Sequence, residues 1–450
     1  MRALAVAVAR LVRALIRRAG RGGTTAPGRV LLRLDRHAIA HLGKRLQGGA
    51  VLVSATNGKT TTASMLAAAV ERDGGAVVRN RAGSNMSWGV ATALLEAGRR
   101  SGELGLFEVD EAWLVPVAGE LEPRMLVLGN LFRDQLDRYG ELEAIADRWA
   151  DLTAERDGLS DLVLCADDPL IADLGRDRQR VSYFGVEDDS VALPELQHAA
   201  DSKHCRRCGH AYAYEAIYMG HLGRYRCPNC GRERPAPQVA AERVVLRGMA
   251  GTDLSLRTPA GVAQVRLPLP GLYNVYNALA AATAALELGV TLDRLREGLE
   301  RMPAVFGRVE TIAVGGRDVS ILLVKNPAGT NEVLRTLTLE GGRLDLWLAL
   351  NDGIADGRDV SWIWDADFEL LVGHARHVMC SGTRAEEMAL RLKYAGVDAP
   401  IEVERDLGRS LDAAVAAGDG GPLFALPTYT ALLELRDLLA ARGVAGRWSD

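Results

Sequence analysis

The stretch Val51-Leu-Val-Ser-Ala-Thr-Asn-Gly-Lys-Thr-Thr-Thr62 constrains this chain more than any other. An apolar run reads as a buried strand, the small polar residues after it as a tight turn, and Lys59 onward as the start of a helix. Backbone N–H groups left free in such a turn and at the helix N-terminus can cradle phosphate oxygens. Lys59 adds a point charge and Thr60 a hydroxyl for Mg²⁺. The expected ligand is ATP, with Thr56, Asn57, Gly58, Lys59, Thr60 and Thr61 around its phosphates. Gly-Lys-Thr also occurs by chance, so the alternative at this point is an ordinary polar strand-to-helix turn.

The sequence around this loop alternates short apolar runs with helical stretches from Gly49 to about Pro194, which predicts βα units on a mostly parallel sheet. Ligands in such sheets gather at the carboxyl ends of the strands. Four acidic or amide-rich turns fall there: Asn80 to Asn85, Glu108 to Glu111, Asn130 to Asp137 and Ala166 to Pro169. Glu108 ends a strand, so its carboxylate is a candidate Mg²⁺ ligand, or else part of a solvated acidic turn. Asn274 and Asn277 open a later apolar helix; they suit an adenine or ribose edge, and equally suit a helix cap.

With 450 residues the chain exceeds what one core usually serves, so two or three domains are expected. We place a basic N-terminal helix and hinge at 1–45, the ATP-binding domain at 46–305 and a smaller α/β domain at 306–450. Strands are predicted in the last at Ile321 to Val324, Leu344 to Ala349, Phe368 to Val372, His377 to Met379 and Leu423 to Ala425. In the N-terminal part eleven Arg and Lys residues face one acid, Asp35, and apolar residues from Leu4 to Ile16 recur at helical spacing. This is a helix packed on the main domain, or one drawn to an anionic membrane surface or a lipid-linked anion. The net charge of −4 over the whole chain gives no basic field for nucleic acid, and no apolar run reaches the roughly 18 residues of a membrane span.

Six cysteines are present, and four of them, Cys205, Cys208, Cys227 and Cys230, form two C-x-x-C pairs inside a compositionally distinct insertion at 199–237. That spacing predicts a zinc ribbon; four thiolates leave no open coordination position, so the zinc is expected to be structural. His204, His210 and His221 nearby read as surface residues. Cys165 and Cys380 read as small buried apolar groups.

In chain order, the Thr56 to Thr61 loop, Glu108, the run Asn130 to Gly140, Asp167-Asp-Pro169, Tyr273 to Ala278 and Gly307-Arg308 resemble the Mur ligases and folylpolyglutamate synthetases. Those enzymes phosphorylate a carboxylate with ATP and let an amine attack the acyl phosphate. The four-cysteine insertion, Lys325-Asn-Pro-Ala-Gly329, Asn351-Asp352, the run Ala355 to Asp365 and Thr383 to Glu387 resemble a narrower branch, the MurT-type synthetase subunits of lipid II isoglutaminyl synthases. The resemblance covers nearly the whole chain. It implies a Mur ligase-type P-loop domain with Lys59 and Glu108 at the chemistry, Arg308 as a further nucleotide contact, and lipid II as substrate in peptidoglycan synthesis. It also implies a GatD-type glutaminase partner, whose Cys-His pair is completed by an aspartate of this chain. Asp359 is the matching position, with Asp352 and Asp356 as competitors, and Trp362 and Trp364 beside it are candidates for the partner interface or for the core. Gln135 stands where many Mur ligases carry a metal-binding His, and no lysine lies between Lys59 and Lys203 to serve as their carbamylated lysine. The rival readings are a stand-alone amino-acid ligase and a non-catalytic ATP-binding scaffold for a glutaminase. Location is expected to be cytoplasmic, with contact at the inner face of the membrane left open.

Overall fold

The first apolar run forms β1 (Ala50–Ser54), an interior strand of a nine-stranded sheet that also contains β2 (Ala76–Arg79), β3 (Glu103–Glu108), β4 (Met125–Leu128), β5 (Asp161–Cys165) and β6 (Val181–Val186). A separate two-stranded ribbon, β7 (Ala213–Met219) and β8 (Leu222–Arg226), interrupts it before β9 (Val239–Leu246), β10 (Thr252–Thr258) and β11 (Gly261–Leu267) complete it. The structure is a computed structural model. It describes residues 2–18, 25–80, 83–97, 103–134, 142–302, 308–339, 341–418 and 420–445, apart from the side chains of Arg17, Arg308 and Val309.

The order is β11-β10-β9-β6-β5-β4-β1-β3-β2, parallel from β2 to β9 and antiparallel for the last two pairs. Strands β1, β3 and β4 are buried at every position because helices cover both faces, which is why they read as unbroken apolar runs. By contrast β10 alternates buried and half-buried residues, as expected where one face is covered less completely. The register sets Val53 of β1 beside Glu108 of β3 and Val127 of β4, so the loops after these three strands converge. The helix Leu272–Glu287 is buried along most of its length, and its alanines let it lie against both the sheet and the helix Lys59–Arg72.

The N-terminal helices Arg2–Arg18, Ala26–Leu34 and Ala38–Gly43 add Ala5, Ala9, Leu31, Ile39 and Leu42 to the central core. The hinge expected at Gly20 to Gly28 is shorter than its composition implies. Its first part lies outside the described residues, but Pro27 occupies the first turn of a helix, where its missing N–H costs nothing. Gly28 is buried against the next layer: a Cβ there would stand 1.8 Å from the Trp88 carbonyl oxygen.

A second sheet, β12-β13-β17-β14-β15-β16, is built from β12 (Arg308–Val314), β13 (Arg317–Leu322), β14 (Leu344–Ala349), β15 (Ala375–Ser381), β16 (Ile401–Val403) and β17 (Leu423–Pro427). Only β12–β13 is antiparallel, and the sheet has its own core on each face. The strand expected at Phe368 to Val372 is instead a 3-10 turn, Phe368–Leu371. Phe368 and Leu371 are buried while Glu369 and Leu370 are exposed, a spacing of three that a 3-10 helix places on one side and a strand cannot.

Candidate active site

The phosphate loop is held from two sides. Gly58 ends it with φ of 94°, and a Cβ there would stand 1.9 Å from the Asn277 side-chain oxygen, so only glycine fits. Asn130, after β4, clamps the loop reciprocally: its Oδ1 accepts from the Asn57 N–H at 2.9 Å and its Nδ2 donates to the Asn57 carbonyl at 3.0 Å. The Thr56 hydroxyl accepts from the Phe132 N–H at 3.0 Å, so Thr56 is spent on building the loop. Thr60 remains half-buried in the first helical turn and Thr61 is buried behind it.

Lys59 is buried in the mouth, donating to the Ala55 carbonyl at 2.6 Å and to Glu111 at 2.7 Å. Burial disfavours both charges, yet Glu111, Asp110 and Asp134 hold the Lys59 pKa above its ordinary value, and Lys59 with Lys325 holds that of Glu111 below. Glu111, not singled out from the sequence, is therefore the carboxylate that meets Lys59. The Trp149 indole fixes its backbone by donating to the Glu111 carbonyl at 3.1 Å. Glu108 is also buried, anchored at its backbone by Asn80, which both accepts and donates there. It lies within electrostatic reach of Tyr429, whose hydroxyl pKa is raised first by burial and then by Glu108 and Asp356.

The C-terminal domain closes over this mouth. Asn326 caps the helix Pro327–Thr338 by accepting from the Gly329 N–H, and its side-chain amide pairs with that of Asn57. Lys325 pairs with Asp134 and donates to the Thr56 carbonyl at 3.3 Å. A lysine thus does reach the phosphate loop, from 266 residues further along than Lys59; what signal there was lay in the Lys-Asn-Pro-Ala-Gly run. Between the domains lies a cavity lined by Asn57, Gly58, Asn130, Met219, Tyr273, Asn277, Lys325 and Val333, among others. Asn277 faces it and is held by Thr62 and Asn274. Asn274 itself is not among the lining residues and ties back to the Pro270 carbonyl at 2.8 Å, so it positions Asn277. Arg308 begins β12, but its side chain is outside the described residues, as is Gln135.

The four insertion cysteines have sulfurs within 4.8 Å of one another, with Cys205–Cys230 at 3.6 Å and Cys208–Cys227 at 3.4 Å. These spacings suit four ligands of one tetrahedral metal, whose sulfurs sit about 3.8 Å apart at ordinary zinc–sulfur lengths. Gly209 and Gly231 both take positive φ after their C-x-x-C turns. The insertion braces the site: Asp201 binds Arg133 beside the phosphate loop, and Arg335 of the C-terminal domain donates to the Tyr218 and Val191 carbonyls. His204 and His210 are exposed as expected, but His221 is not a surface residue. It is fully buried against Phe132, at 4.6 Å between ring centres, and accepts from the Asp201 N–H, because the ribbon folds that face onto the loop after β4. Cys165 and Cys380 are buried, and burial pushes both thiols up, Cys380 to about 12.

The three candidate aspartates separate clearly. Asp356 is buried and accepts from the Thr430 N–H and hydroxyl, which pins the loop to the helix Tyr429–Ala441. Asp352 is paired with Arg384 at 2.8 Å and accepts from Thr383. Asp359 is exposed and accepts from the Ser361 N–H at 2.8 Å, which lowers its pKa. Trp362 packs on the C-terminal core, whereas Trp364 is exposed and stands edge to face with exposed Tyr394.

Residues 53–285 match the Mur ligase middle domain and 323–432 the MurT ligase C-terminal domain. The subunit MurT of lipid II isoglutaminyl synthase (glutamine-hydrolyzing) from Staphylococcus aureus strain N315 is 32% identical over 437 residues, 97% of each chain. That of Streptococcus pneumoniae strain ATCC BAA-255 / R6 is 31% identical over 96% of this chain and 95% of its own. Among solved structures, a pseudomurein peptide ligase type C from Methanothermus fervidus superposes with a TM-score of 0.68 at 23% identity, covering 89% of this chain and 80% of that one. MurF from Acinetobacter baumannii superposes at 0.65 with 18% identity, over 90% and 78%. The fold is that of the Mur ligases, and full-length similarity narrows it: the chain belongs to the MurT family within that superfamily.

Proposed function

We propose that this chain amidates the α-carboxyl of the second-position D-glutamate of lipid II, giving D-isoglutamine in peptidoglycan synthesis. The observation that carries this reading is the end-to-end match to a protein named for that activity. In this reaction a carboxylate oxygen attacks the γ-phosphorus of ATP and ADP leaves. Ammonia then attacks the acyl carbon, phosphate leaves, and the new nitrogen sheds a proton.

Each residue has a part in that sequence. The loop N–H groups and Lys59 hold the phosphates, and Asn277, positioned by Asn274, meets the nucleoside, with Arg308 as a further contact. Thr60 and Glu108 are the groups to hold Mg²⁺, which supplies charge neutralisation at the phosphates when bound. Lys325 brings a second fixed cation to the place where negative charge gathers, and its bond to Asp134 keeps it aimed there. The cysteine cluster suits structural Zn²⁺, and it keeps the insertion rigid enough to support the Arg133 loop.

The word subunit in the relatives' names points to a second chain, which we take to be a GatD-type glutaminase that delivers ammonia. Asp359 is the aspartate available to it, since Asp356 and Asp352 are already engaged, and Trp364 with Tyr394 offers an apolar contact beside the same loop. Among the described residues no helix is long and apolar enough to cross a membrane. The enzyme works in the cytoplasm, on a substrate held at the inner membrane face.

Mass spectrometry of lipid II tests this after incubation with ATP, Mg²⁺ and this chain, with ammonium chloride in one tube and glutamine plus the glutaminase in another. A product lighter by roughly one mass unit in both is expected, hydroxyl having been replaced by amine. Asp359→Asn should lose only the glutamine-driven reaction. No mass change in either tube while ATP still binds would overturn the amidation reading.

A further inference from the structure

The N-terminal unit carries a surface that the active site does not use. Leu4, Leu11 and Leu15 are 68%, 61% and 55% exposed on the helix Arg2–Arg18. Steps of seven and four residues put all three on one face of the helix, roughly 120° round from the side where Ala5 and Ala9 enter the core. Three leucines left in water along one ridge are more than scattered surface apolar residues.

On the flank of the same helix lies a cleft lined by Arg2, Arg10, His41, Lys44 and Arg45, with Asp35 as its one acid. Asp35 is already engaged: it pairs with His41 at 2.8 Å and accepts from the His37 N–H at 3.2 Å. Arg2, Arg10, Lys44 and Arg45 are exposed and form no ion pair among the described residues. Elsewhere on this chain arginines are commonly paired, as Arg13 of the same helix is with Glu96 at 2.7 Å. Unpaired cations around a concave surface, next to a ridge of exposed leucines, are complementary in both charge and polarity to the boundary between phosphate headgroups and acyl chains.

We propose that this unit docks on an anionic membrane, the leucine ridge entering the acyl boundary while the basic cleft receives a lipid phosphate. It deepens the amidation reading by bringing the enzyme to the surface where a lipid-linked substrate resides, and only that extension rests on that reading.

Co-sedimentation of the full chain with vesicles tests the docking. Binding is expected on mixed phosphatidylcholine–phosphatidylglycerol vesicles, weakening as salt is added, and not on phosphatidylcholine alone. The variant Arg2→Glu/Arg10→Glu/Lys44→Glu should bind about tenfold more weakly or worse, and Leu4→Ser/Leu11→Ser/Leu15→Ser should lose binding too. Both should keep wild-type ATP binding, since all six positions are exposed and none lines the cavity at the phosphate loop. Failure of the wild type to bind mixed vesicles, equal binding to neutral ones, or unchanged binding by the variants would overturn the proposal. So would a serine variant that changes oligomeric state with no vesicle binding by the wild type, because the ridge would then be a protein interface. Amidation of a short-chain, water-soluble lipid II separates the two readings: vesicle binding without amidation leaves docking standing alone, and amidation without vesicle binding does the reverse.

Discussion

The phosphate-loop mouth and the N-terminal unit are both rich in charge, and they treat it in opposite ways. At the mouth Lys59 meets Glu111, Lys325 meets Asp134, and Asn57 is bound by Asn130 and Asn326. In the N-terminal unit four cations stand without an ion pair among the described residues, and three leucines stand in water. A buried charge must be neutralised by the protein because water cannot reach it, whereas an exposed one costs little to leave alone. The mouth is therefore preassembled, and its residues carry stability and chemistry together. The N-terminal surface carries neither, which leaves it free for a ligand.

Lys59→Ala should break that contrast most severely. It removes the proposed phosphate ligand and strands Glu111, so ATP turnover should fall by about a hundredfold or more, with a loss of about 3 kcal/mol in denaturant melts. Adding Glu111→Gln should restore much of the stability and none of the turnover, which separates the two roles. Next in size, chelation or Cys205→Ser should release the proposed structural zinc, measured by elemental analysis, and lower the melting temperature by loosening the insertion. The loss should spread to ATP turnover because Asp201 no longer holds Arg133.

Lys325→Met should be milder for stability, since Lys325 is 27% exposed, but should cut turnover about tenfold in single-turnover assays. Small-angle scattering should show a more open average shape, because one of the bonds across the domain boundary is gone. The smallest effect is expected at Glu332, a carboxylate buried with neither oxygen hydrogen-bonded. Burial raises its pKa and nearby Arg335 only partly offsets this. The folded state then binds its proton more tightly than the unfolded chain, so stability falls as pH rises past the ordinary glutamate value. Glu332→Gln should raise the melting temperature at pH 8 and give no such gain at pH 4.

Much of this was legible in the residues. Apolar runs marked the buried parallel strands, and Gly58-Lys59-Thr60 marked the strand-to-helix turn, because local sterics and hydrogen bonding specify both. The C-x-x-C spacing located the cysteine cluster for the same reason. Less legible was which neighbour each polar group would meet. Glu111 and Glu108 look alike in Phe107-Glu-Val-Asp-Glu111, but only the first is turned onto Lys59. His221 carries no mark of burial, and Phe368 to Val372 is apolar enough for a strand until its burial pattern is seen.

The sequence alone therefore determined the elements and the chemistry they could carry: a phosphate loop in a parallel sheet, a four-cysteine insertion and a basic amphipathic helix. Periodicity, turn chemistry and ligand spacing are set by residues close together in the chain. Tertiary structure alone decided that Lys325 and Asn326 close the loop, that Asp359 and not Asp356 is exposed, and that Arg2, Arg10, Lys44 and Arg45 form no ion pair among the described residues while Arg13 reaches Glu96. Those outcomes depend on contacts between segments well separated in the chain, as Lys325 with Thr56 and Asp356 with Thr430, whose geometry no local pattern encodes.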